Sequence, residues 1–134
     1  MNSFIEPPLF SLEGQIFNDA TIFKIYDGDT MRIALNDFNG KPTSFKVRVR
    51  GIDTPEIKTK SVKEKELALK AKQEVVSHFN LKKCKITCGD WDKYGRLLVD
   101  IENKDGLDLA THLIQNKLAC KYEGKTKITN WDEW

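Results

Sequence analysis

No apolar run in this sequence approaches the roughly 20 residues needed to span a bilayer, and the first ten residues, MNSFIEPPLF, lack a basic segment and an unbroken apolar stretch. No membrane segment and no secretory leader are expected, so the setting is read as intracellular. Cysteine is scarce and odd in number: Cys84, Cys88 and Cys120. Cys84 and Cys88 fall in KCKITC, which as extended chain sets them roughly 13 Å apart, beyond the Cα separation of about 7 Å that a disulfide tolerates. Reduced thiols are the expectation. There is no CxxC, and the two histidines, His78 and His112, lie far from any cysteine in sequence, so zinc is not expected. Internal repeats and low-complexity linkers are also missing.

At 134 residues the chain suits one domain with one core. Its net charge of +2 is weak, but the charge is unevenly spread. Residues 56–85 carry nine lysines against four glutamates, a local excess of +5. Such a stretch serves equally as a solvated helix face or as a surface that attracts phosphate.

Strand patterns begin at Thr21, where Thr21, Phe23 and Ile25 alternate with Ile22 and Lys24; Asp27 and Gly28 turn the chain into MRIAL. After Asn39, Gly40 and Pro42, SFKVRVRGI reads as a third strand, with Val47 and Val49 on one face and Lys46, Arg48 and Arg50 on the other. It stops at DTPE, because Pro55 cannot extend a ladder. Residues 64–79 place Ala68, Ala71, Val75 and Phe79 at helical spacing. Short strands at about 84–88 and 96–102 flank the turn GDWDKYG, and a second helix near 108–117 turns Leu109, Leu113 and Ile114 inward. The order predicts a mainly β, α+β fold: a bent five-stranded OB-type barrel with two packed helices. An arm at 1–19, a domain at 20–122 and a C-terminal tail at 123–134 packing on it complete the expected organisation.

Several polar residues sit where chemistry is possible. Asp29 and Asp53 each precede a threonine in a turn-rich segment, and either alone reads as a turn former or cap. Brought together, two carboxylates need a cation or a proton, and oxygen ligands without histidine or cysteine select Ca²⁺ or Mg²⁺. Arg48 must find an anion or reach solvent. Glu56 follows Asp53 closely, and Arg96 leads from a turn into a strand.

The segments YDGDT, KVRVRGIDTPE and DKYGR, in that order with a helix between the last two, resemble the staphylococcal nuclease family over about residues 20–122. The resemblance implies a calcium-dependent nuclease that cuts DNA, RNA or both with little sequence preference and leaves 3′-phosphate and 5′-hydroxyl ends. It implies that Asp29 and Asp53 ligate Ca²⁺ by side chain and Thr54 by its carbonyl, that Glu56 prepares the attacking water, and that Arg48 and Arg96 hold the phosphate. Lys93 and Tyr94 match positions that meet the terminal phosphate and the nucleotide, and Tyr122 stands near the base pocket. A monomer is expected, with nucleic acid as its substrate and no membrane partner.

The sequence departs from the family pattern after Ala119, where Tyr122 is followed by EGKTK, and in the shortened C-terminal region, where Trp131 and Trp134 are expected to cap the core. The lysine-rich KTKSVKEKE takes the place of the family's loop beside the site. Two rival readings stand beside the enzyme: a catalytically inactive nucleic-acid-binding OB module, and a protein-contact domain whose polar cluster is a salt-bridge network.

Overall fold

The computed structural model describes residues 3–123 and 129–134. The start of the expected arm and residues 124–128 of the expected tail, including Lys125 and Lys127 of EGKTK, lie outside the described residues. Five strands close into a barrel in the order β1-β2-β3-β6-β5. They are β1 (Ile16–Ile25), β2 (Thr30–Phe38), β3 (Lys41–Val49), β5 (Lys83–Trp91) and β6 (Leu97–Asn103). All neighbouring pairs run antiparallel except β3 and β6, which pair in parallel at Val47–Leu97, Arg48–Leu98 and Val49–Val99. The expected OB-type α+β fold is the one observed.

The alternation carries into the barrel wall in β3, where Val47 and Val49 turn inward, but in β1 a bulge between Ile22 and Lys24 breaks it, leaving Ile22 buried and Phe23 exposed. Ile22, Met31, Ile33, Val47, Val49, Ile86, Leu97, Val99 and Ile101 turn inward and are almost wholly buried. Helix α1 (Val62–Phe79) presses Ala71, Val75 and Phe79 onto this core, and Ala68 on the same face is buried as well. Truncating the fully buried Phe79 to alanine would cost about 3–5 kcal/mol. Helix α2 (Leu109–Gln115) buries Leu109 and Leu113, with Ile114 packed at the edge of the cluster.

The third strand differs from its sequence reading. It ends at Val49, and Gly51, at φ +82°, bends the chain into a separate two-residue strand, β4 (Ile52–Asp53). That backbone conformation favours glycine, since a Cβ would crowd the following carbonyl. β4 pairs with β7 (Cys120–Lys121), setting Asp53 opposite Cys120. The partner strand lies far along the chain, so local periodicity could not announce it.

Helix α1 starts two residues earlier than the periodicity indicates, because Ser61 caps it by accepting from the Glu64 amide. Trp131 is buried in a short 3-10 turn, with Trp134, partly exposed, edge-on to it at 4.8 Å. Lys63 donates to the Trp134 carbonyl, tying this segment to α1. The three cysteines carry no disulfide, as expected. Among the described residues no helix is long and apolar enough to cross a membrane.

Candidate functional site

Three separate turns deliver polar side chains to one end of the barrel. The β1–β2 turn comes first. Asp27 Oδ1 accepts from the amides of Asp29 (3.1 Å) and Thr30 (2.9 Å), folding the turn on itself. The Asp29 carbonyl accepts from the Val49 amide at 2.8 Å, which docks the turn on the end of β3, and Thr30 Oγ1 donates to Asp29 Oδ1 at 3.0 Å. Gly28 lies so close to the next segment that an added Cβ would meet Thr54 Cγ2 at 3.0 Å and Ala71 Cβ at 3.1 Å. The spot requires glycine for that close approach.

The end of β3 brings Arg48, which is 8% exposed. Its Nη1 donates to the Val49 carbonyl at 2.8 Å and its Nη2 to the Ile52 carbonyl at 3.1 Å. The same Nη2 stands 3.4 Å from Asp29 Oδ2 and 3.9 Å from Asp53 Oδ1. Both aspartates are buried, as is Thr54. One guanidinium thus faces two buried carboxylates, one from the β1–β2 turn and one from β4, and Tyr122 lies beside it with its ring centre 5.6 Å away.

Across the cleft, the β5–β6 turn is organised by Asp92. Its Oδ1 accepts from the amides of Tyr94 and Arg96, both at 2.9 Å, while Oδ2 accepts from Arg96 Nε at 2.6 Å. Burial pushes the Asp92 carboxyl up, but the hydrogen bonds and charge of Arg96 outweigh it and hold the group below the usual range. Tyr94 is 72% exposed, and the cations of Lys93 and Arg96 lie 5.2 and 5.4 Å from its ring centre. Glu56 sits on the rim, its amide donating to Glu64 Oε2 at 2.8 Å.

These groups line a cleft of about 1260 Å³ that contains Asp29, Arg48, Glu56, Lys93, Tyr94, Arg96 and Tyr122. Asp53 and Thr54 lie against it beneath Arg48 and Gly28. The structure therefore gathers every residue singled out in the sequence. It also adds two that were read only as turn residues. Asp27 lines the cleft, and burial together with the neighbouring Asp29 charge pushes its carboxyl up to about 7. Asp92 is the second; the signal for both was present as a carboxylate two or four residues from another site residue. Arg50 is also in the cleft but pairs bidentately with Asp100, at 3.0 and 2.8 Å.

The electrostatics follow from this inventory. Arg50 and Arg96 are matched by Asp100 and Asp92, which leaves Arg48 facing Asp29 and Asp53, with Asp27 also lining the cleft. Negative charge exceeds positive there, and the donors are all oxygens. Such a set suits a hard divalent cation and repels an unaccompanied phosphate.

A five-stranded OB-type barrel with an acid-and-arginine cleft at one end is the class of protein that this fold and site define. The model of the staphylococcal nuclease homologue family matches residues 46–133. The chain belongs to that family, which is generally one of nucleases acting on nucleic acids. The match begins inside β3, yet β1 and β2 complete the barrel and supply Asp29, so the fold unites the matched segment with residues ahead of it. No curated protein matches the chain.

Proposed function

We propose that the protein is a calcium-dependent nuclease that hydrolyses phosphodiester bonds of DNA, RNA or both at this cleft, with little sequence preference. The observation that carries the reading is the convergence of Asp29 and Asp53 on Arg48, in a cleft that also holds Arg96 and Glu56. The donor set fits Ca²⁺: two buried carboxylates, from the β1–β2 turn and from β4, with the Thr54 carbonyl as a third oxygen. When bound, Ca²⁺ supplies positive charge and polarises a phosphoryl oxygen.

The chain's own residues do the rest. A guanidinium has five N–H donors, and those of Arg48 beyond its bonds to Val49 and Ile52 meet a non-bridging phosphate oxygen. Arg96, held rigid by Asp92, meets the phosphate from the opposite wall. Together they stabilise the charge that in-line attack builds on the equatorial oxygens. Glu56 on the rim takes or orients the proton of the attacking water. Breaking the bond to the 5′ oxygen leaves 3′-phosphate and 5′-hydroxyl ends. Lys93, Tyr94 and Tyr122 grip the nucleotide, with the exposed Tyr94 ring offering a stacking face.

One specific observation favours the inactive-module reading: two Arg48 donors are already spent on backbone carbonyls, as in a structural network. The two readings separate in one experiment. Purified protein is given single-stranded DNA in Ca²⁺ or in chelator, with Glu56→Gln beside it. Calcium-dependent cleavage that the variant lowers by about 10²–10³-fold supports the nuclease. Folded protein that binds DNA without cutting it in any divalent ion refutes it.

A further inference from the structure

A set of side chains able to hold a metal lies outside the residues that line the cleft. Glu74 and His78 are one turn apart on α1 and share a face. His112 reaches them from α2. Glu74 Oε2 stands 2.8 Å from His112 Nε2 and 3.4 Å from His78 Nε2, and the two rings meet edge to face at 4.8 Å. One ligand atom from each residue lies within 4.8 Å of the others. The cluster sits near the C-terminal end of α1, with Glu74 about 15 Å and His78 about 21 Å along the helix axis from Glu64 at a 1.5 Å rise per residue.

We propose that Glu74, His78 and His112 form a Zn²⁺ site that clamps α1 to α2. Two imidazole nitrogens and one carboxylate oxygen are a donor set that zinc takes at about 2.0–2.2 Å, leaving a fourth position for water. Bonds of that length place neighbouring ligand atoms about 3.3–3.5 Å apart in a tetrahedron. The Glu74–His78 separation already has that value, the Glu74–His112 separation reaches it by opening about 0.6 Å, and the two histidine nitrogens, within 4.8 Å of each other, must draw together as the rings turn.

The backbone around the site is held. Buried Asn103 donates to the His78 carbonyl and accepts from the amides of Asp105 and Leu107, so one side chain ties the end of α1 to the approach to α2. His112 is only 16% exposed, which limits its choice of rotamer. Asn116 lies 3.3 Å from His112 Nδ1. The same Asn116 Nδ2 donates to the His112 carbonyl at 2.7 Å, bracing the turn of α2 that carries the ring. The sequence argument against zinc considered cysteine spacing; it had no means of seeing that two helices bring the histidines together.

The bland alternative is a carboxylate that bridges two imidazoles with no metal at all. Co²⁺ titration of the full chain, in excess Ca²⁺ to fill the cleft, distinguishes the two. The expected result is about one equivalent of Co²⁺ with the visible absorption of a tetrahedral centre, displaced by Zn²⁺. Zn²⁺ also raises the melting temperature. His78→Ala, at the more exposed position, and Glu74→Gln lose both effects, whereas Cys120→Ser keeps them. Retention of the band in His78→Ala, or absence of both band and thermal shift in the parent chain, overturns the proposal.

Discussion

Glu64 holds Glu56 in place through the backbone: Glu64 Oε2 accepts from the Glu56 amide at 2.8 Å, and Oε1 accepts from Thr59 Oγ1 at 3.1 Å. The sequence Ser61-Val62-Lys63-Glu64 has the form of a capping box, and Ser61 does accept from the Glu64 amide. The Glu64 carboxylate does not return to the cap residue. It spans the loop after Asp53 and fixes the rim on which the proposed base stands.

Glu64→Ala should therefore lower kcat by about tenfold, since small misplacements of a catalytic group are costly. KM should stay close to its parent value, because the arginines proposed to hold the phosphate are untouched. Steady-state cleavage of a short single-stranded DNA separates the two constants. A rise in KM with unchanged kcat would show that the tether serves substrate grip and not Glu56.

Arg48 and Arg96 should respond differently to the same substitution. Lysine keeps the charge but not the planar fork, so Arg48→Lys and Arg96→Lys should each reduce kcat/KM by about 10²-fold. Only Arg48→Lys should also destabilise the fold, by about 2–3 kcal/mol, because it abandons the buried Val49 and Ile52 carbonyls. Urea denaturation beside the kinetics checks this. Equal stability of the two variants would mean that the Arg48 bonds are dispensable.

The parts of this architecture legible in the sequence are those carried by local pattern. Ile22, Ile33, Val47 and Val49 announce barrel strands by alternation, and Ala68, Ala71, Val75 and Phe79 announce a helix by spacing. The site residues were legible only as a family resemblance, since Asp29 or Arg48 alone is an ordinary turn or salt-bridge residue. What stayed hidden depends on partners distant in the chain. β4 exists because Ile52 and Asp53 meet Cys120 and Lys121, Asp27 changes character only when burial sets it against Asp29, and His78 meets His112 only after both helices have packed.

The thiols test the packing without reference to activity. Burial pushes the Cys84 thiol up to about 11, and burial also raises Cys88. Thiolate, not thiol, is the nucleophile, so neither should react with a disulfide reagent near pH 8 while the protein is folded. Cys120 is only partly buried, with its sulfur 3.0 Å from Thr129 Oγ1. One thiol should react in native buffer and all three in denaturant, read by released chromophore. Fast reaction of more than one thiol in the native state would contradict the barrel packing around β5.

Gly28→Ala probes the link between the β1–β2 turn and the proposed calcium site. A Cβ there needs space now held by Thr54 Cγ2 and by Ala71 of α1, and the helix side chain is itself fully buried. Relief comes most cheaply by moving the turn outward, since Ala71 has no rotamer to change. That displaces Asp29 and strains the Asp29–Val49 hydrogen bond. The variant should lose about 1–3 kcal/mol of stability, and cleavage should need a higher Ca²⁺ concentration for half-maximal rate, with the rate at saturating Ca²⁺ less affected. Thermal melts and a Ca²⁺ titration of activity measure the two effects separately. Lost stability with an unchanged Ca²⁺ requirement would show that Asp29 holds its position independently of the glycine, and that Thr54 yields instead.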